Sequence, residues 1–212
     1  MAEALEDNGS VLPLLGFELA IPPGHTNFFY SDQSVGHDLR VACLSSIGKD
    51  LTAVWSKLDS WVPKEKIVAI RHYHTGLHEG DNLINTYAPN YEQVVEVIQT
   101  RQESPQWVQS LWRKGFRVGM VGSSDHSRIA PFPKTLTGLW LPKGNRTREG
   151  VLEALRSRRS FATNGVKMSV LLSVTGSGGG PTLVMGEEGK VNGTPHLTAN
   201  ITGTRTIDRV EF

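Results

Sequence analysis

Metal-capable side chains recur in this sequence at the ends of apolar runs. Leu12–Leu15 leads into Gly16-Phe17-Glu18, Lys66–Ile70 into Arg71-His72-Tyr73-His74, and Phe116–Val121 into Gly122-Ser123-Ser124-Asp125-His126; His25 opens the run Asn27–Tyr30. In parallel α/β folds, residues just past the carboxyl ends of strands converge on one rim, where active sites are built. Glu18, His25, His74, Asp125 and His126 are therefore the candidate metal ligands. Imidazoles and carboxylates without thiolates suit borderline divalent ions such as Zn, Mn or Fe. A carboxylate bridging two such ions would lower the pKa of a bound water and supply hydroxide near neutral pH, which is the chemistry of hydrolysis.

Each residue also has a plainer reading. A lone glutamate after a strand commonly caps a turn or faces solvent, and an Asp-His pair in a Gly/Ser turn commonly bonds its own backbone. His72 and His74 project to the same face if their segment is extended, so both can enter one site. His72 and His78, the latter beside Glu79 and Asp81, are the candidates for acid–base work, whereas His37 and His196 read as surface residues. Arg71, Arg158 and Arg159 are candidates for holding an anionic substrate. Arg156, Arg158 and Arg159 equally fit the commoner role of cations at a helix C-terminus. The single cysteine, Cys43, excludes a disulfide framework and a Cys-x-x-Cys zinc site, and it reads as a small buried hydrophobe.

The elements that must position these groups alternate in type. Val11–Leu15, Asn27–Tyr30, Lys66–Ile70, Val94–Gln99, Phe116–Gly122 and Thr135–Leu141 read as short buried strands. Leu51, Val54, Trp55 and Leu58 form a helical face that Asp50 can cap. Ser104-Pro105 followed by Trp107, Val108, Leu111 and Trp112, then Gly115, has cap, first-turn proline, apolar stripe and terminal glycine in order. Thr147 opens a further helix with Val151, Leu152 and Leu155 on one face. Helices are thus expected over about 50–60, 105–114 and 148–158. Such alternation favours an α/β sheet or barrel through residue 165. From Val166 onward, Ser169–Thr175, Pro195–Thr202 and Thr206–Phe212 read as a small antiparallel β unit.

Bulk properties bound the function. The chain has 212 residues, 38% of them hydrophobic and 20% charged, which suits one globular domain with a small appendage. With 22 basic and 21 acidic residues the net charge is +1, which gives no electrostatic case for nucleic acid or a membrane surface and favours a small-molecule substrate. No apolar run approaches the roughly 18 residues of a membrane span, and the acidic N-terminus is unlike a signal peptide. No compartment follows from the sequence.

Taken in order, Gly16-Phe-Glu18, Gly24-His-Thr-Asn27, His74-Thr-Gly76 and Ser123-Ser-Asp-His126 resemble the polymerase-and-histidinol-phosphatase (PHP) superfamily. More closely, the sequence is similar to its branch of PHP-like metallohydrolases related to carbaryl-hydrolysing enzymes. Arg158-Arg-Ser-Phe-Ala-Thr-Asn-Gly165, Met185-Gly-Glu187 and Gly203-Thr-Arg-Thr-Ile-Asp-Arg-Val210 are similar to later segments of that branch. The resemblance implies the C-terminal part of a distorted (β/α)₇ barrel over 1–165, followed by the β-rich appendage over 166–212. It also implies two or three metal ions in the complete protein, with Glu18 as the bridging carboxylate and His25, His74, Asp125 and His126 as further ligands. Asp125 and His126 are adjacent here, where the superfamily often has Ser-Asp-x-His, and His72 is a substitute for His74. The His-x-His segment with which the superfamily begins is not matched before Glu18. The chain is therefore expected either to be a fragment, weak or inactive alone and associating with the missing segment or with itself, or to carry a reduced metal site. The implied function is metal-dependent hydrolysis of phosphoester or carbamate/ester bonds; the alternative is a non-catalytic binding module retaining the fold.

Overall fold

The computed structural model describes residues 12–21, 24–46, 50–72, 85–99, 102–103, 105–124, 135–143 and 145–212. Its main sheet begins with an antiparallel hairpin, β1 (Leu15–Ile21) and β2 (Gly24–Tyr30), in which Glu18 lies opposite Asn27 and Ala20 opposite His25. β3 (Ile67–Arg71) pairs antiparallel with β2, placing Asn27 opposite Ile70 and Thr26 opposite Arg71. β4 (Val94–Gln99) then runs parallel to β3, and β6 (Gly119–Ser123) parallel to β4, with a register shift between Glu96 and Ile98. The two-residue β5 (Gln102–Glu103) pairs with the end of β4.

Two layers of helix cover this sheet. On one face, α1 (Gln33–Leu44) and α2 (Leu51–Trp61) bury Val35, Leu39, Leu51, Val54, Trp55 and Leu58 against Phe28, Ile67 and Ala69. α3 (Pro105–Arg113) packs Val108 and Leu111 against Val95 and Val97. On the other face, α4 (Arg148–Arg156) lays Leu152 and Leu155 on Val68, Ile70, Val94 and Val121. β3 is buried along its whole length because it is covered on both sides, which is why it reads as an unbroken apolar run.

Helix boundaries follow their caps. Asp32 accepts from Val35 N at 3.1 Å, Asp50 from Ala53 N at 3.4 Å, and Thr147 Oγ1 from Gly150 N at 3.0 Å. Gly36 sits inside α1 because the Tyr30 ring lies on it, 2.4 Å from where a Cβ would stand. α4 ends in a Schellman turn, with Arg159 N bonded to Ala154 O at 2.8 Å and Arg158 N to Leu155 O at 3.0 Å. That turn puts Arg158 at φ 58°, a conformation glycine ordinarily fills.

β7 (Leu136–Leu139) and β8 (Ser160–Thr163) form a separate antiparallel pair. It is tied to β6 where Thr137 Oγ1 accepts from Gly122 N at 3.0 Å and donates to Gly122 O at 2.8 Å. Toward the C-terminus, β9 (Met168–Gly176) is flanked on both sides by antiparallel partners, β10 (Leu183–Val184) and β11 (Pro195–Gly203). Residues 206–212 are not a strand, and Phe212 is largely exposed.

These findings correct the expected architecture. Among the described residues the strands form an open mixed sheet and two smaller sheets, and no (β/α)₇ barrel is closed. The chain is a strand-rich mixed α/β structure. The physical reason lies in the first connections. Only Pro22 and Pro23 separate β1 from β2, and a parallel crossover needs a dozen or more residues. The apolar run ending at Leu15 is likewise not the first strand, since the strand continues to Ile21 and carries Glu18 at its centre.

Candidate metal centre

The pairing registers bring one set of polar side chains to a single face of the main sheet. Glu18, Asn27, Ile70 and Val94 are cross-strand neighbours and so project to the same side. His25, His72 and Glu96 lie two residues farther along β2, β3 and β4 and share that side by the period of two. α4 covers the adjoining Val68, Ile70, Val94 and Val121 part of the face. The polar row therefore stands where parallel β3, β4 and β6 reach their carboxyl ends, the position at which such sheets hold ligands.

Within the row, one ligand atom from each of Glu18, His25 and His72 lies within 4.8 Å of the others. His25 Nδ1 is hydrogen-bonded to Glu18 Oε1, and both side chains are 42% exposed, so this pair is open to an ion from solvent. His72 is 3% exposed. Its backbone N donates to His25 O at 2.9 Å, its Nε2 lies 2.7 Å from Asn27 Nδ2, and its ring centroid is 5.9 Å from that of His25. A carboxylate and an imidazole are donors that suit a borderline divalent ion, and the His72 ring stands within reach of the pair.

Two polar members of the row escaped the sequence reading. Glu96 is 1% exposed and accepts from the Ser123 hydroxyl at the end of β6. A charge inside the apolar run Val94–Ile98 was the available signal. Asn27 was visible only as the last residue of Gly-His-Thr-Asn, and its contact with His72 depends on strand register.

The other sequence candidates fall in three places. His74, His78, Asp125 and His126 lie outside the described residues. Arg71 faces the opposite side of the sheet from His72. It is buried there in a bidentate pair, Nε to Glu92 Oε1 and Nη2 to Glu92 Oε2, each 2.8 Å, with Thr86 Oγ1 and O at 3.0 and 3.1 Å. Burial pushes the Glu92 carboxyl up, while the Arg71 guanidinium and the Ala88 N–H pull it toward the ionised form. Arg158 stands at the start of β6, beside Gly119, and reaches Glu188 Oε1 at 2.6 Å. There it lines a cleft of about 760 Å³ with Arg117, Phe116, Met120, Phe161 and Leu172. Arg159 lies over the Trp140 ring at 5.4 Å. Neither arginine joins the row at the strand ends.

Comparison with known proteins adds no relative. No family model matches the chain, and no curated protein or solved structure matches it.

Proposed function

We propose that the chain carries the divalent-metal centre of a hydrolase that cleaves phosphoester or carbamate/ester bonds. The observation that supports this reading is the convergence of Glu18, His25 and His72 on one open point at the carboxyl ends of the parallel strands. The motif order resembling PHP-like metallohydrolases points to the same chemistry, with His74, Asp125 and His126 as further ligands and two or three ions in all. The chemistry is carried over here, and the barrel is not. A divalent ion supplies Lewis acidity and a nucleophile drawn from water near neutral pH. Glu18 and His25 would hold the ion, and His72 stands beside it as the group that hydrogen-bonds the substrate. The row of buried and half-buried polar groups orients a small substrate against them.

The test is metal uptake by the purified chain, followed by calorimetry with Mn and Zn and by elemental analysis. The unmodified chain should bind an ion with defined stoichiometry. Glu18→Gln, which keeps shape and removes charge, should weaken binding by about tenfold or more, in the range that losing a metal-site partner costs. His37→Ala, at a side chain 78% exposed, should leave it unchanged. Hydrolysis of a chromogenic phosphodiester or carbamate ester should vanish with chelator and return with metal. A chain that takes up no ion, or a hydrolysis indifferent to chelator and to Glu18→Gln, refutes the reading and leaves a binding module.

A further inference from the structure

The two imidazoles of the centre receive opposite kinds of partner. His25 Nδ1 faces a carboxylate oxygen of Glu18, which only accepts. His72 Nε2 faces the Asn27 amide nitrogen at 2.7 Å, and an amide NH₂ only donates. We propose that Asn27 is a positioning residue that fixes His72 as the Nδ1–H tautomer, making His72 a hydrogen-bond donor of the centre through Nδ1–H while Glu18 and His25 hold the ion. The second half of this statement rests on the metal reading above; the first half does not.

A neutral imidazole has one N–H and one bare nitrogen, and the bond made by one nitrogen decides the state of the other. With Nε2 accepting from Asn27, the ring proton sits on Nδ1. A nitrogen already accepting an N–H is engaged, and the remaining nitrogen carries a proton that ligation would have to expel. Neither is prepared to take a metal. His25 is prepared, because its Glu18 partner only accepts and the pair is open to solvent, so an ion can replace the proton shared between them.

The backbone makes the arrangement rigid. Asn27 and His72 stand on adjacent antiparallel strands, on one face, with His72 N bonded to His25 O at 2.9 Å. Asn27 also lies directly opposite Glu18. One residue therefore stands between the ion-holding pair and the donor, and its amide separates their roles.

Proton–nitrogen correlation spectra of the full chain with isotope-labelled histidine read the tautomer of each ring, the seven histidines being identified by single His→Gln variants. His72 should show a bare Nε2 and a protonated Nδ1. One equivalent of Zn should move the His25 signals and leave the His72 nitrogens unligated. Asn27→Asp replaces a donor with an acceptor and should interchange the two His72 signals, whereas Asn27→Ala should leave a tautomer mixture. In calorimetry, His72→Ala should keep Zn affinity within about threefold, while His25→Ala should lose about tenfold or more. A protonated Nε2 in the unmodified chain overturns the proposal, as does His72 signal movement typical of ligation or a tenfold loss in His72→Ala. If the unmodified chain takes up no Zn, the metal reading and the division of roles fall together. The His72 spectra then still decide the tautomer.

Discussion

Arg71→Met separates a guanidinium that holds the core from one that meets a substrate. Arg71 and Glu92 are joined by two bonds of 2.8 Å, and their side chains are 6% and 1% exposed. Methionine fills similar volume but leaves the Glu92 carboxylate buried, with the Ala88 N–H at 2.7 Å from Oε2. Removing one partner of a buried pair costs about 3–5 kcal/mol, because the other charge loses its compensation. For a chain of this size that is a fall in Tm of roughly 6–20 °C. The pH dependence has a definite sign. Without Arg71, burial acts on Glu92 with less opposition and holds its folded pKa above the unfolded value of about 4.3. Its contribution is then intact below the unfolded pKa and lost as pH rises through the folded one, so the variant should regain stability on going from about pH 7.5 to about pH 5. Urea unfolding followed by tryptophan fluorescence reads this, since Trp55 is stacked on Tyr91 in the core at 5.4 Å. Arg71→Met combined with Glu92→Leu should recover to within about 1 kcal/mol of the parent, as apolar replacements of buried pairs do. Metal affinity should be unchanged, because Arg71 projects from the opposite face to His72. An Arg71→Met chain as stable as the parent at both pH values, with its hydrolytic activity lost, refutes the structural assignment and restores Arg71 to the substrate.

Asp32→Ala removes the cap of α1 and the partner of Lys66, and should cost about 1 kcal/mol in chemical denaturation near neutral pH. The Ser34 hydroxyl, Lys66 and Val35 N–H hold the Asp32 carboxyl well below the usual carboxylate range. Its contribution is therefore present above about pH 4 and fades as pH falls through the lowered folded value, so the gap between variant and parent should narrow in strong acid. Burial pushes the Cys43 thiol up to about 12. It should react with a thiol reagent only when the chain unfolds; prompt labelling of the native chain would show that α1 does not cover it.

Much of the secondary structure was legible because it is local. Val94–Gln99 is a strand from end to end, and Asp50 and Thr147 cap the helices their positions announced. α1 was not read, because Val35, Leu39, Ala42 and Cys43 are interleaved with Gly36, His37 and Asp38, which dilute the apolar stripe. β1 was misplaced because the dense run ending at Leu15 outweighs the sparser alternation of Phe17, Leu19 and Ile21. The sheet itself was the larger error. Periodicity marks a strand without stating which neighbour it pairs with or in which direction, so alternating strands and helices suggested parallel order where β1, β2 and β3 are antiparallel. For the candidate centre, residue type singles out Glu18 and His25 as expected ligands and His72 as a substitute for His74. Their meeting, and the presence of Asn27 and Glu96 beside them, depends on cross-strand register that only the paired sheet defines.

The hairpin has a consequence for the order in which the centre assembles. Glu18 and His25 are 7 residues apart, whereas Asn27 and His72 are separated by 45. Closing the longer span costs about 1.6 kcal/mol more in chain entropy. A hairpin of this kind forms in roughly 1–10 μs and is only marginally stable alone. The carboxylate–imidazole pair should therefore form and break early in folding, with docking of β3 across the longer span bringing His72 to Asn27 later. An ion present during refolding would meet the exposed pair first and shift that early equilibrium toward the hairpin. Metal should accordingly speed folding more than it slows unfolding.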